Sequence, residues 1–162
     1  MLASAVALGL IAGFARGGSF ARLSSLRIAW WPVLGVAVLL RLGAGLFGDL
    51  SVAAYLIAFA GIVAVAIANR SLPGALLIAA GAALNLIAVA ANGAMPVSAE
   101  AISSVGGTFP RDPLHTTLDA SSRLPFLTDV IPFPVVRTAY SVGDVFIALG
   151  GAWLSFAAVT RQ

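Results

Sequence analysis

Apolar residues run along this chain in five long blocks, and charged residues mark where each block stops. Leu2 to Ala15 is the first, followed by a linker carrying Arg16, Arg22 and Arg27. Ile28 to Phe47 is the second, interrupted by Arg41 alone. Asp49 sits in a very short turn before Ser51 to Ala68. The turn Asn69-Arg70-Ser71-Leu72-Pro73 then leads into Gly74 to Ala91. A mixed stretch over 92–138 precedes the last block, Ala139 to Thr160. A membrane-crossing helix takes roughly 20 apolar residues. The pattern therefore predicts one all-α integral membrane domain over 1–162. It is a bundle of five transmembrane helices at about 2–15, 28–47, 51–68, 74–91 and 139–160, with a long outer loop, 92–138, between spans four and five. The first span is short and needs thinned bilayer or support from its neighbours. Its basic residues follow the apolar run instead of preceding it, so it reads as a permanent span and not as a signal peptide.

Smaller signals refine the picture. Trp30 and Trp31 open the second span at an interfacial aromatic belt, and Pro32 suits a first helical turn. Between spans one and two, Ser19 to Arg27 alternates Phe20, Leu23 and Leu26 with Arg22 and Arg27. A short amphipathic helix on the inner leaflet fits that alternation, as does an irregular basic loop. In the outer loop, Ser98 is placed to cap a helix that runs through Ser104 and ends at Gly106-Gly107. Asp129-Val-Ile-Pro-Phe-Pro is extended. Phe126, Leu127, Ile131 and Phe133 offer apolar surface for docking that loop on the bundle.

Composition excludes the soluble alternatives. Of 162 residues, 60% are hydrophobic and 9% charged, and mean hydropathy is +1.05, where a soluble domain is about 25% charged. There is no Cys, so disulfides and thiolate chemistry are absent. The single His cannot supply paired haem ligands, and neither a cofactor nor a metal is expected. A net charge of +3 with a pI near 10.6 comes with no nucleic-acid motif. The distribution of arginine explains it instead. With the N-terminus outside, Arg16, Arg22, Arg27, Arg70 and Arg161 fall on the cytoplasmic side, while all six acids fall on the outer half. The positive-inside rule then gives an N-out, C-in protein of a bacterial inner membrane.

Small residues recur at four-residue spacing in span one (Ala5, Gly9, Gly13, Gly17), a row that permits close helix approach, here most economically within the chain. Gly81, Asn85, Ala88 and Asn92 form one stripe of span four, and Asp144, Ala148, Gly151 and Ser155 form one of span five. Arg41 lies about two turns from the outer end of span two. A charge there is costly and is a pointer to function. Arg41, Asn85, Asn92 and Asp144 are thus a candidate polar site, with Arg41 and Asp144 at matching depth for an ion pair. The structural alternative has Arg41 snorkelling, Asp144 capping its helix and the Asn side chains linking helices. In the loop, Met95, Ser98, His115, Asp119 and Asp129 are further candidates. His115 and Asp119 have the spacing of one helical face, but two ligands are too few for a metal. No nucleophile-elbow, zincin or phosphate-loop motif is present.

The strings Asn69-Arg-x-Leu-Pro-Gly, Leu84-Asn85, Ala91-Asn92-Gly-x-Met95-Pro96-Val97-Ser98, Asp129-Val-Ile-Pro132-x-Pro134 and Ser141-x-Gly143-Asp144 together resemble a family of small bacterial multi-span membrane proteins of unknown function. The resemblance covers most of the chain and concentrates in 69–150; the loop from Ser103 to Pro113 matches no such pattern. It implies no activity. It does imply that the marked positions are the outer-half polar set and the loop above it.

Three classes of function remain open. The leading one is non-enzymatic: an accessory or scaffold subunit of a larger membrane complex or a homo-oligomer, or a protein binding membrane lipid at its outer face. A transporter or channel-like protein using Arg41, Asn85, Asn92 and Asp144 is the alternative. An intramembrane enzyme on a lipid headgroup, with Asp129, Asp144 and His115 as acid–base groups, is a third. A water-filled cavity at the cluster would favour a solute site, a sideways groove the enzyme, and a dry bundle with a flat apolar face the accessory role.

Overall fold

The computed structural model describes residues 1–160, so Arg161, assigned above to the basic side, lies outside the described residues. Among the described residues there are seven α-helices: α1 (Leu2–Ala15), α2 (Phe20–Ser25), α3 (Trp31–Gly43), α4 (Ser51–Ala68), α5 (Ala75–Asn92), α6 (Ala99–Ser104) and α7 (Val142–Thr160). Three apolar segments are long enough to cross a membrane: Gly48–Ala68, Ala75–Asn92 and Val142–Thr160. Leu2–Ala15 and Trp31–Leu46 are shorter apolar helices. The predicted bounds of the first, third and fourth blocks agree with α1, α4 and α5 to within a residue. The second is shorter than predicted. Its α-helix begins at Trp31 with Pro32 in the first turn, stops at Gly43, and gives way to 3-10 turns at Ala44–Leu46 and Gly48–Leu50. Gly43, Gly45 and Gly48 crowd that end, and glycine costs about 1 kcal/mol relative to alanine inside a helix. The last helix also starts late, because Ala139 and Tyr140 belong to a strand.

The five long helices pack as a row, α3–α4–α5–α7–α1, with α2 lying against α7. Small residues set the close approaches. A Cβ on Gly9 would collide with the Ala152 carbonyl and the Ser155 hydroxyl, and one on Gly13 with Val159. The glycine row of α1 is therefore spent on α7 within the chain, except at Gly17, which has open space around it. Along the α5–α7 seam, Gly81 meets Gly143 and Gly74 meets Gly150. Gly74 has a second reason to be glycine, since its φ of +80° opens α5 from a left-handed turn. At that end of the row, the Asn69 amide ties α4 to the segment before α3. It accepts from the Ala29 N–H at 2.8 Å, and donates to the Ala29 and Val65 carbonyls at 2.9 and 2.8 Å.

The segment over 92–138 is folded onto the other end. β1 (Met95–Val97) pairs in parallel with β2 (His115–Thr117), and β3 (Ile131–Phe133) pairs antiparallel with β4 (Thr138–Tyr140). Asp129 adds to the free edge of β1: its N–H donates to the Pro96 carbonyl and its carbonyl accepts from the Ser98 N–H, each at 3.0 Å. Ser98 caps α6, its hydroxyl accepting from the Ala101 N–H at 3.0 Å. Docking uses Met95, Leu114 and Leu127, which are buried with Tyr55, Phe59 and Val89 of the bundle. Phe126 and Ile131, expected to dock, are exposed instead. The strand pairing turns Asp129 and its neighbours inward, and the residues beyond them outward. Amides of Met95, Ser98 and Asp129 are expected to exchange slowly with deuterium in the folded protein. Exchange at unfolded-chain rates would show that the segment is not docked.

Candidate functional site

Under the folded segment lies a cavity of about 220 Å³ lined by Arg41, Tyr55, His115, Asp129, Tyr140 and Asp144, together with Met95, Val97, Pro110, Thr138 and Ala139. Helix directions bring these residues together. Arg41 is near the C-terminal end of α3, Tyr55 in the second turn of α4, and Asp144 in the first turn of α7. All three ends point at the loop.

Asp144 is built into its helix terminus. Its N–H donates to the Ser141 hydroxyl oxygen at 3.0 Å, and its Oδ2 accepts from the Ser141 N–H at 3.1 Å. This reciprocal arrangement is a capping box, which satisfies two otherwise orphaned helix donors. Its Oδ1 accepts from Asn85 Nδ2 at 3.0 Å. The buried Ser141 hydroxyl lies 2.7 Å from Asn85 Oδ1 and 2.9 Å from Asp144 Oδ2, with one proton to donate between them. Asn85 itself is 1% exposed and does not line the cavity; it stands behind Asp144 and joins α5 to α7.

Arg41 and Asp144 line the same cavity, but the expected ion pair is not formed among the described residues. The reason is the packing order. α3 and α7 are separated in the row by α4 and α5. Arg41 instead lays its guanidinium over the Tyr55 ring, 4.5 Å from the centroid, with Phe59 at 5.7 Å. Such a cation–π contact is worth about 0.5–1 kcal/mol when exposed and rises to about 2 kcal/mol when desolvated. It leaves the N–H fork of Arg41 without a carboxylate.

Asp129 is the unusual group. It is 7% exposed, and its Oδ1 is buried with no hydrogen-bond partner. Burial pushes its pKa up to about 8. The Asp144 charge adds to that rise, and Arg41 opposes it. Near neutral pH the side chain is therefore a protonated carboxyl, a potential donor in the lining of the cavity.

His115 reaches the cavity from β2 and is oriented by Asp112, whose carboxylate oxygens lie 2.8 and 2.9 Å from Nδ1. The expected helical pairing of His115 with Asp119 is not found, because His115–Thr117 is extended. Asp119 is exposed and bonded to the Ser121 N–H and hydroxyl, and these bonds hold its pKa down. Asn92 also stands apart. It closes the end of α5, donating to the Ala88 and Arg123 carbonyls at 2.8 and 3.0 Å and accepting from the Arg123 N–H at 2.7 Å. Of the nine predicted positions, the structure brings Arg41, Asp144, Met95, His115 and Asp129 to one cavity, with Asn85 behind it. Asn92, Ser98 and Asp119 serve local structure. Tyr55, Thr138, Tyr140 and Asp112 were missed. The signal for Tyr55 was available, since a charge within an apolar block needs a partner and Tyr55 is the polar aromatic of the next block. Among the described residues no group of three or more His, Asp or Glu side chains is arranged to hold a metal.

A family model described as a family of unknown function (DUF5317) matches residues 21–156. The chain belongs to that family. The DUF5317 match spans every residue of the cavity and leaves out the whole of α1, so both the candidate site and the folded segment above it lie within the family region. Searches of curated proteins and of solved structures found no match.

Proposed function

We propose that this protein is a small five-span membrane protein that binds the anionic headgroup of a membrane lipid at its outer face, in the cavity closed by the loop. The observation that carries this reading is a cavity rich in unspent donors. Among the described residues Arg41 makes no ion pair, the Asp129 carboxyl is protonated near neutral pH and unpartnered, and Thr138 and Tyr140 add hydroxyls. Both Asp144 oxygens are already hydrogen-bonded, to Asn85 and Ser141. A phosphate or carboxylate group is complementary to such a wall. Arg41 also sits on α3, the edge helix of the row, beside Leu42 and Leu46, which are 78% and 89% exposed. Exposed leucines next to the cavity suit acyl chains and favour a lipid over a free solute. The accessory-subunit reading requires none of this polar architecture, and a transport path would need polar groups continuing beyond Asn85 along the bundle.

Lipids that remain with the detergent-purified protein test the reading. The wild type is expected to retain an anionic lipid class by mass spectrometry, and Arg41→Gln to lose most of it. Equal retention by both proteins, or equal stabilisation of the wild type by inorganic phosphate, would refute a lipid headgroup site. A second reading, an enzyme acting on that headgroup, is favoured by the Asp112-oriented His115 sharing the cavity with Asp129. Conversion of a labelled lipid extract that disappears in both His115→Ala and Asp129→Asn would support it.

The orientation has its own test. With residues 93–138 outside, a single cysteine replacing Ser103 should react with a membrane-impermeant thiol reagent in intact cells, and one replacing Ser71 should not. Reaction at Ser71 alone would invert the topology, and reaction at both would change the number of spans.

A further inference from the structure

We propose that the end of the bundle away from the loop holds one anionic phospholipid, with its phosphate at Arg22 and Arg27 and the start of an acyl chain in the crevice behind Leu72 and Leu154. Two adjoining hollows carry the inference. One, of about 320 Å³, is lined by Arg22 and Arg27 together with Ser25, Leu26, Pro73 and Ala158. The other, of about 70 Å³, lies between α3, α4, α5 and α7, and is walled by Leu34, Ile62, Val65 and Ile78. Leu72 and Leu154 line both, so the basic hollow and the apolar one adjoin across these two side chains. A charged mouth joined to a hydrocarbon slot has the two-part chemistry of a phospholipid.

The polar groups nearby leave no rival occupant. Asn69 is the one polar side chain of the crevice, and both ends of its amide are committed to Ala29 and Val65. Nothing in the slot recognises a polar ligand, and an apolar chain suits it. At the mouth, Arg22 donates once, to the Gly17 carbonyl at 3.3 Å, and Arg27 makes no side-chain hydrogen bond among the described residues. Neither hollow is lined by an Asp or Glu side chain, so among the described residues no acidic side chain competes for these guanidinium groups. Guanidinium matches phosphate with a planar fork of donors, and anionic lipid is attracted to basic residues at a membrane surface. The mouth is also positioned. Ser19 caps α2, its hydroxyl oxygen accepting from the Arg22 N–H at 3.4 Å. The Ser19 N–H donates to the Val159 carbonyl at 3.0 Å, pinning α2 beside α7. Exposed Phe20, Trp30 and Trp31 surround this end, as side chains of a membrane interface do. The site rests on the chain's being membrane-embedded and does not depend on the loop-end cavity.

Native mass spectrometry of the full chain in detergent, titrated with dioleoyl phosphatidylglycerol or dioleoyl phosphatidylcholine, tests the assignment. The wild type should bind phosphatidylglycerol preferentially. Affinity should fall about fivefold for each arginine removed in Arg22→Gln and Arg27→Gln. Arg16→Gln/Arg70→Gln removes equal charge from the same end without lining the mouth and should leave binding within about twofold. Leu154→Trp fills the shared wall and should reduce binding with both arginines in place; Arg27→Gln, at an exposed position, keeps the test informative if that variant misfolds. Arg41→Gln should bind phosphatidylglycerol here like the wild type, which separates this site from the one under the loop. Equal affinity for the two lipids, equal loss in the charge-matched control, or competition by glycerol phosphate at wild-type lipid affinity would each overturn the proposal.

Discussion

Gly143→Val is expected to lower the stability of the detergent-solubilised protein by several kcal/mol and to dismantle the wall of the cavity at the same time. A Cβ at Gly143 would fall on the Asn85 amide and the Gly81 carbonyl. Neither can yield. Asn85 is fixed by its bonds to Asp144 and Ser141, and the Gly81 carbonyl belongs to the backbone of α5. Forcing extra carbon into a packed seam costs about 1–3 kcal/mol. Separating Asn85 from Asp144 adds about 1–3 kcal/mol for a polar group left buried without its partner. Gly35→Ala is the matched control, because nothing lies within contact of a Cβ there and alanine is the better helix former. Thermal unfolding should show Gly143→Val melting far below the wild type and Gly35→Ala at or slightly above it. A Gly143→Val protein that melts with the wild type would show that α5 and α7 do not meet at this seam.

The helices were legible from the sequence where apolar blocks were long and bounded by charge, as at α4 and α5. They were misjudged where a local competitor intervened. Gly43, Gly45 and Gly48 broke the second block into 3-10 turns, and strand pairing claimed Ala139 and Tyr140. The candidate site was legible to the extent that residue type alone carries cost. A charge within an apolar block must be accommodated somewhere, which marked Arg41 and Asp144. Depth matched them, but depth says nothing about helix order. The α3–α4–α5–α7–α1 row therefore put Tyr55, not Asp144, against Arg41. The environment of Asp129 was not legible at all. It depends on parallel pairing of Met95–Val97 with His115–Thr117 and on a bridge from Val97 to Asp129. These are long-range contacts with no sequence period to betray them. His115 and Asp119 illustrate the same limit, because a four-residue spacing has meaning only on a helix.

Asp129 makes the protein's stability depend on pH in a direction opposite to that of an ordinary paired carboxylate. Burial pushes its pKa up to about 8 in the folded chain, against an ordinary 3.8. Between those values the unfolded chain has released a proton that the folded chain still holds, so raising the pH favours unfolding. The contribution is complete below about pH 4, falls as pH rises toward 8, and levels off above that. Burial is the largest cause of that pKa rise, the Asp144 carboxylate adds to it, and Arg41 opposes both. Asp129→Asn mimics the protonated side chain at every pH. It should match the wild type near pH 4 and exceed it at pH 8 by an amount on the order of a few kcal/mol. Arg41→Gln removes the opposing charge and should carry the wild-type decline to higher pH. Melting curves at several pH values between 4 and 9 read the difference between the wild type and Asp129→Asn directly. Parallel profiles for the two proteins, or a wild type that gains stability relative to Asp129→Asn as pH rises, would mean that Asp129 is ionised and paired in the folded protein, and would remove the donor on which anion binding under the loop depends.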